Sequence, residues 1–218
     1  MKALFRYAVT PKDRVAVIII VSFHIVGLVG FIVPPFDAVF LNLVPWHLLL
    51  MTSVILYSHR EPDGRFLLFA LLIFVMGFMA EFTGVHTGWL FGNYTYGETL
   101  GIKLFHIPLM IGVNWFLLIY ATGISMQRSC IRNRFFRIIT GALVLVLLDL
   151  LIEPIAVHFD YWHWTGNSIP VKNYVCWFLL SALLLFIFEQ FEFKRQSIVA
   201  TVLLIMQFVF FMGLGIFN

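Results

Sequence analysis

The sequence predicts an all-α polytopic membrane protein of about seven transmembrane helices, on three observations. Of its 218 residues, 61% are hydrophobic and only 11% charged, with mean hydropathy +0.98. A soluble domain of this length carries far more charge to stay dispersed. The apolar residues fall into seven runs, at about 15–33, 39–57, 66–83, 105–124, 135–153, 173–189 and 197–217. A helix needs about 17–25 such residues to cross a hydrocarbon core of about 30 Å. Finally, every one of the 14 lysines and arginines except Lys103 and Lys172 lies in the amino-terminal segment or in alternate connections. By the positive-inside rule the amino terminus is cytoplasmic and the carboxyl terminus outside, in a multi-pass protein of the cell (inner) membrane surrounded by lipid.

Each run has its own punctuation. Lys2, Arg6, Lys12 and Arg14 precede the first, as in a signal peptide, but the run is long and no small-residue cleavage site follows, so it reads as a retained helix. Pro34 and Pro35 end it. The second carries His47 and closes on the turn Glu61, Pro62, Asp63, Gly64. The third ends in Glu81, and the fourth carries Asn114 and Trp115. Arg128, Arg132, Arg134 and Arg137 precede the fifth, which holds Asp149 and Glu153. Asn173 opens the sixth, and Trp177 follows one turn on. No linker, low-complexity tract or repeat divides the chain, so residues 1–218 read as one helical domain. The cations sit in short clusters between apolar runs, which gives no argument for a nucleic-acid partner. Cys130 and Cys176 fall on opposite faces of this topology and have no metal-ligand spacing.

The orientation puts the two longest aromatic connections, 84–104 and 154–172, on the same outer face. At a rise of about 1.5 Å per residue, Glu81 lies roughly 22 Å along the third helix and Asp149 roughly 21 Å along the fifth. Glu153 shares the face of Asp149 four residues earlier. Three acids from two helices therefore converge in the outer half, with Asn114 and His47 approaching from neighbouring spans. An ionisable group inside a span costs at least about 2.5–3.5 kcal/mol and marks function more often than packing. The blander alternative is a set of buried hydrogen-bonding partners that fix helix packing. Trp89, Tyr94, Tyr96, Tyr161, Trp162 and Trp164 suit an interfacial aromatic belt. His86, His106, His158 and His163 share that face at irregular intervals, so interfacial hydrogen bonding is favoured over a metal site. Among them His106 stays a candidate for holding substrate or water. The glycines at 84, 88, 92, 97 and 101 lack the Lys-Ser/Thr of a phosphate loop and read as turns.

At these residues the chain resembles the membrane carotenoid 1,2-hydratases of the CruF type, which include lycopene or γ-carotene hydratase and bisanhydrobacterioruberin hydratase. The resemblance lies in Glu81, Gly84, Gly88, Phe91, Gly92, Tyr94 and Tyr96, then Gly101, Pro108 and Trp115. It resumes at Asp149, Glu153 and Pro154, and runs through Trp162, Trp164, Pro170, Asn173 and Trp177. It implies addition of water across the terminal C1–C2 double bond of an acyclic carotenoid ψ-end, giving a tertiary alcohol. It also implies a substrate pair of carotenoid and water, with no cofactor and no metal. The expected catalytic groups are Glu81, Asp149 and Glu153, sharing proton donation, cation stabilisation and water activation. Asn114 and Asn173 would orient water, and Trp115, Trp177, Tyr94, Trp164 and His106 would line the substrate. A lycopene-type cyclase begins with the same protonation, and a small-solute transporter is the alternative outside enzymes. A retinal-binding pump is excluded, because 197–217 contains no lysine for a Schiff base.

Overall fold

The structure is a computed structural model that describes residues 9–34, 36–166, 168–194 and 196–217. Of the residues singled out above, Lys2, Arg6 and Pro35 lie outside it. Seven helices are long and apolar enough to cross a membrane: α1 (Pro11–Ile32), α2 (Asp37–Ser58), α3 (Gly64–Thr87), α4 (Leu109–Arg128), α5 (Arg134–His158), α6 (Val171–Phe191) and α7 (Val199–Phe217). The expected polytopic all-α fold is therefore the observed one. Among the described residues, strand is confined to β1 (Tyr94–Tyr96), β2 (Lys103–Leu104), β3 (Ile107–Pro108) and β4 (Trp162–Trp164).

Local chemistry explains where the helices begin. Thr10 and Asp13 form a reciprocal capping box ahead of α1, with Pro11 in its first turn. The Asp63 carboxylate accepts from Phe66 N at 3.0 Å at the start of α3, and Asn133 Oδ1 accepts from Phe135 N at 2.8 Å at the start of α5. Their ends differ from the expected ones for identifiable reasons. α3 runs to Thr87 and stops on Gly88, whose φ of 64° closes the helix in the left-handed region. α5 continues to His158 through Pro154, because a proline there withdraws only the bond to the Leu150 carbonyl. α4 starts at Leu109, since residues 103–108 fold into the β2–β3 hairpin with positive φ at Phe105 and His106.

α4 is the axle of the bundle. It packs against α2, α3, α5, α6 and α7, and its side chains from Trp115 to Ile124 are all buried. α1 packs on α2 and α7, and α5 on α6. The low sequence amphipathicity of these helices follows from lipid on one side and protein on the other, both apolar. At the basic end of the bundle, Arg137 of α5 donates from Nε and Nη2 to the two carboxylate oxygens of Glu189 on α6, at 2.8 and 2.7 Å. Glu189 is buried, so removing its partner strands a charge. Arg137→Met is expected to destabilise the protein by about 3–5 kcal/mol, and adding Glu189→Met to recover most of it. Thermal unfolding of both variants in detergent measures the difference.

Candidate active site

The site is built by two three-residue strands, each of which reaches across from a different connection. β1 pairs antiparallel with β4, Tyr94 opposite Trp164, Thr95 opposite His163 and Tyr96 opposite Trp162. Side chains alternate along a strand, and directly opposed residues share a face. Tyr94, Tyr96, Trp162 and Trp164 therefore all point to one side, toward the ends of α3 and α5. Thr95 and His163 point to the other. The 84–104 and 154–172 connections thus meet, and their aromatic residues serve the acids.

Glu81 receives three of these bonds. Its Oε2 accepts from the hydroxyls of Tyr94 at 2.5 Å and Tyr96 at 2.7 Å, and its Oε1 accepts from Trp115 Nε1 at 3.0 Å. Two glycines on the same helix face make the approach possible. A Cβ on Gly77 would stand 2.5 Å from Trp115 Cβ and Cγ, and one on Gly84 would stand 2.7 Å from the Tyr94 hydroxyl. Gly77, Glu81 and Gly84 are spaced four and three residues apart, so the acid sits between the two notches that admit its donors. Burial, followed by the neighbouring Glu81, pushes ionisation of both tyrosines well above the ordinary range, so their hydroxyls keep their protons.

Glu153 is partnered differently. Its Oε2 accepts from Trp162 Nε1 at 3.0 Å and Trp164 Nε1 at 2.8 Å, and its Oε1 accepts from Asn173 Nδ2 at 2.9 Å. The same Asn173 nitrogen donates to Asp149 Oδ2 at 2.9 Å. Asn173 therefore bridges two carboxyls one helical turn apart. Asp149 Oδ1 is buried and has no hydrogen-bond partner among the described residues.

Two cavities meet here. A small pocket of about 30 Å³ is lined by Glu81, Glu153, Asn114, Asn173, Trp115 and Trp177, among others. That is room for roughly one or two waters. The rings of Trp115 and Trp177 stack at 4.5 Å beside it. A much larger, mainly apolar cavity of about 370 Å³ lies between α1, α2, α4, α5 and α7. Ile111, Asn114, Ile152 and Trp162 line both, so the acid pocket adjoins the large cavity through a shared wall.

Of the residues expected from sequence, Glu81, Glu153, Asn114, Trp115, Tyr94, Asn173, Trp177 and Trp164 surround the small pocket. Asp149 is fully buried, bonded to Asn173 and absent from the pocket wall. His106 is exposed at the tip of the β2–β3 hairpin and lines neither cavity. Tyr96 and Trp162 complete the shells around Glu81 and Glu153 and were not among the expected site residues. Their two-residue spacing from Tyr94 and Trp164 is the sole trace in the sequence, and one alternation is too short to tell a strand from an interfacial belt. Among the described residues, no group of three or more His, Cys, Asp or Glu side chains is arranged to hold a metal ion.

Residues 42–218 match a family described as "Carotenoid biosynthesis protein". The chain is also 28% identical over 125 residues to a bisanhydrobacterioruberin hydratase from Haloarcula japonica, an alignment covering 54% of this chain and 42% of that protein. The chain thus spans less than half the length of this curated relative. No solved structure matches.

Two outcomes follow from this geometry. Gly84→Ala is expected to displace the Tyr94 hydroxyl from Glu81 and, like Tyr94→Phe, to destabilise the protein by about 1–3 kcal/mol through a buried acceptor left short of a donor; thermal unfolding reads both. The strand pair is also acid-sensitive. The Glu98 backbone N–H, and then His163, hold the Asp160 carboxyl below its usual range, with Glu98 N at 3.0 Å and His163 Nε2 at 2.6 Å. A lowered folded pKa gives stability that is present above the ordinary carboxyl value of 3.8 and lost as pH falls through the folded one. The melting midpoint should therefore fall as the pH drops below about 3.8, and Asp160→Asn should flatten the decline.

Proposed function

The chain belongs to the carotenoid biosynthesis protein family, and from that premise we propose that it is a carotenoid 1,2-hydratase. It adds water across the terminal C1–C2 double bond of an acyclic carotenoid ψ-end, within the cell membrane. A proton adds to C2, water attacks the tertiary cation at C1, and the oxonium proton returns to the site, giving a tertiary alcohol. The addition is redox-neutral, so it draws on no redox cofactor. The observation that carries this reading is the small pocket between two carboxyl groups, continuous in its wall with a large apolar cavity. One compartment suits water and the other suits the polyene.

The donor sets divide the work between the acids. Glu153 is surrounded by tryptophan and asparagine N–H groups, which only donate, so it is held as an acceptor-only carboxylate. It is suited to stabilise the cation by its charge, while the proton of the attacking water passes back toward Glu81. Glu81 is held by two tyrosine hydroxyls, which can turn and accept. It is therefore the group that can carry a proton without losing its partners, and it protonates the alkene. Asp149 fixes Asn173, which in turn fixes Glu153. Asn114, on both cavity walls, orients the water at the junction, and Trp115 and Trp177 face the cation with their π-surfaces.

Expression in a lycopene-producing host, followed by product mass, tests the reading. The wild type should yield an alcohol heavier by one water. Glu81→Gln and Glu153→Gln should each lower its formation at least about 100-fold. Tyr94→Phe with Tyr96→Phe should lower it less and shift the pH profile, whereas Asp149→Asn should impair the enzyme without changing that profile. An isomer of unchanged mass would sink the hydratase assignment, and full activity in Glu153→Gln would sink the role given to that carboxylate.

A further inference from the structure

The large cavity does more than hold apolar chain; it reaches the lipid-facing surface of the bundle. Four of its lining side chains are also strongly exposed: Phe23 at 49% and Val26 at 56% on α1, and Leu43 at 45% and Trp46 at 69% on α2. All are apolar and all lie within spans, so what they face in the membrane is hydrocarbon. Toward the connections the same cavity is roofed by Leu100, Tyr161 and Trp162, of which the first two are buried. Burial also pushes Tyr161 ionisation above its ordinary range, as a dry roof requires. Its inner wall is Ile111, Asn114 and Ile152, beyond which lies the acid pocket.

We infer that the exposed edge of the cavity bordered by Phe23 and Val26 of α1 and Leu43 and Trp46 of α2 is a lateral entrance through which an acyclic isoprenoid chain passes from the bilayer into the cavity, end group first, to reach Glu81 and Glu153. This rests on the carotenoid-hydratase reading for what happens at the far end. The occupant follows from continuity and chemistry. A ligand threading this opening meets mainly apolar side chains, with His24, His47 and Gln207 as the polar exceptions besides Asn114, so it is a hydrocarbon chain with its reactive end leading. It comes from lipid, because the opening is apolar and the aqueous side is roofed. α1 supplies Phe23, Val26, Gly27 and Phe31 to this cavity, yet it lies before residue 42, where the family match begins. The entrance is therefore framed on one side by an element outside the matched region.

The test narrows the opening without touching the acids. Val26→Trp and Leu43→Trp are made singly, with Leu147→Trp as a control on the lipid-facing side of α5, remote from the cavity lining. Each protein is expressed in a lycopene-producing host and checked for folding by gel filtration and thermal unfolding. Two quantities are read: carotenoid retained through purification, by absorbance, and the initial rate of alcohol formation in nanodiscs. Both should fall about 10-fold or more in the two narrowed variants, an effect on entry rate within the range mutations produce, and stay near wild type in Leu147→Trp. Wild-type levels in both narrowed variants would overturn the entrance, as would an equal fall in the control or a wild type that retains no carotenoid. If the wild type retains carotenoid in an entrance-dependent way but forms no alcohol, the hydratase reading fails and the entrance stands.

Discussion

The constraint on which this structure depends is that carboxyl groups buried in a bilayer interior must be surrounded by donors. In water those partners come free; in hydrocarbon each has to be supplied by the chain. Glu81 and Glu153 between them take six hydrogen bonds, from two tyrosines, three tryptophans and an asparagine. Supplying these explains features that otherwise look unrelated. The β1–β4 pair exists to aim four rings at one side. The glycines at 77 and 84 exist on α3 because Trp115 and the Tyr94 hydroxyl must come within bonding distance of the acid between them. Asn173 stands at the start of α6 where one nitrogen can serve two carboxyls.

The difference between the two shells matters more than their similarity. Indole and amide N–H groups hold a carboxylate in one protonation state, because they cannot accept. Phenol hydroxyls do not impose that restriction. Two glutamates at similar depth in one fold therefore carry different chemical capacities, set by the residue types around them. The three acids equally form a cluster in which Asp149, buried with one bare oxygen, belongs to the supporting layer.

Much of this was legible in the sequence. Hydropathy fixed seven spans, and the one-sided lysines and arginines placed the two aromatic connections on the same face. Helical rise then put Glu81 and Asp149 at matching depths, and the same face held Glu153. What the sequence did not disclose has physical causes. Strands of three residues are too short to leave a periodic signal, so Tyr96 and Trp162 looked like members of an interfacial belt. His106 shared a face with the site by position alone, but the β2–β3 turn carries it to the exposed tip. Asp149 and Glu153 are equivalent on a helical wheel, and only the folded bundle shows one of them on the pocket wall and the other off it. The large cavity was invisible because its walls come from five helices whose apolar residues read simply as membrane-facing.

The pairing of β1 with β4 joins Tyr94 to Trp164, across two intervening membrane spans. During synthesis α3 enters the bilayer before Trp115 has followed it, and α5 enters before Trp162, Trp164 and Asn173 exist beside it. Both glutamates are therefore delivered into the membrane ahead of their partners, in helices apolar enough to carry them. The cluster around Glu81 and Glu153 is complete only once the sixth span has brought Asn173 into place, so its assembly is a late event in biogenesis. A chain stalled or truncated before α6 would leave buried acids without their bridging amide, which is the kind of lesion membrane quality control is built to recognise.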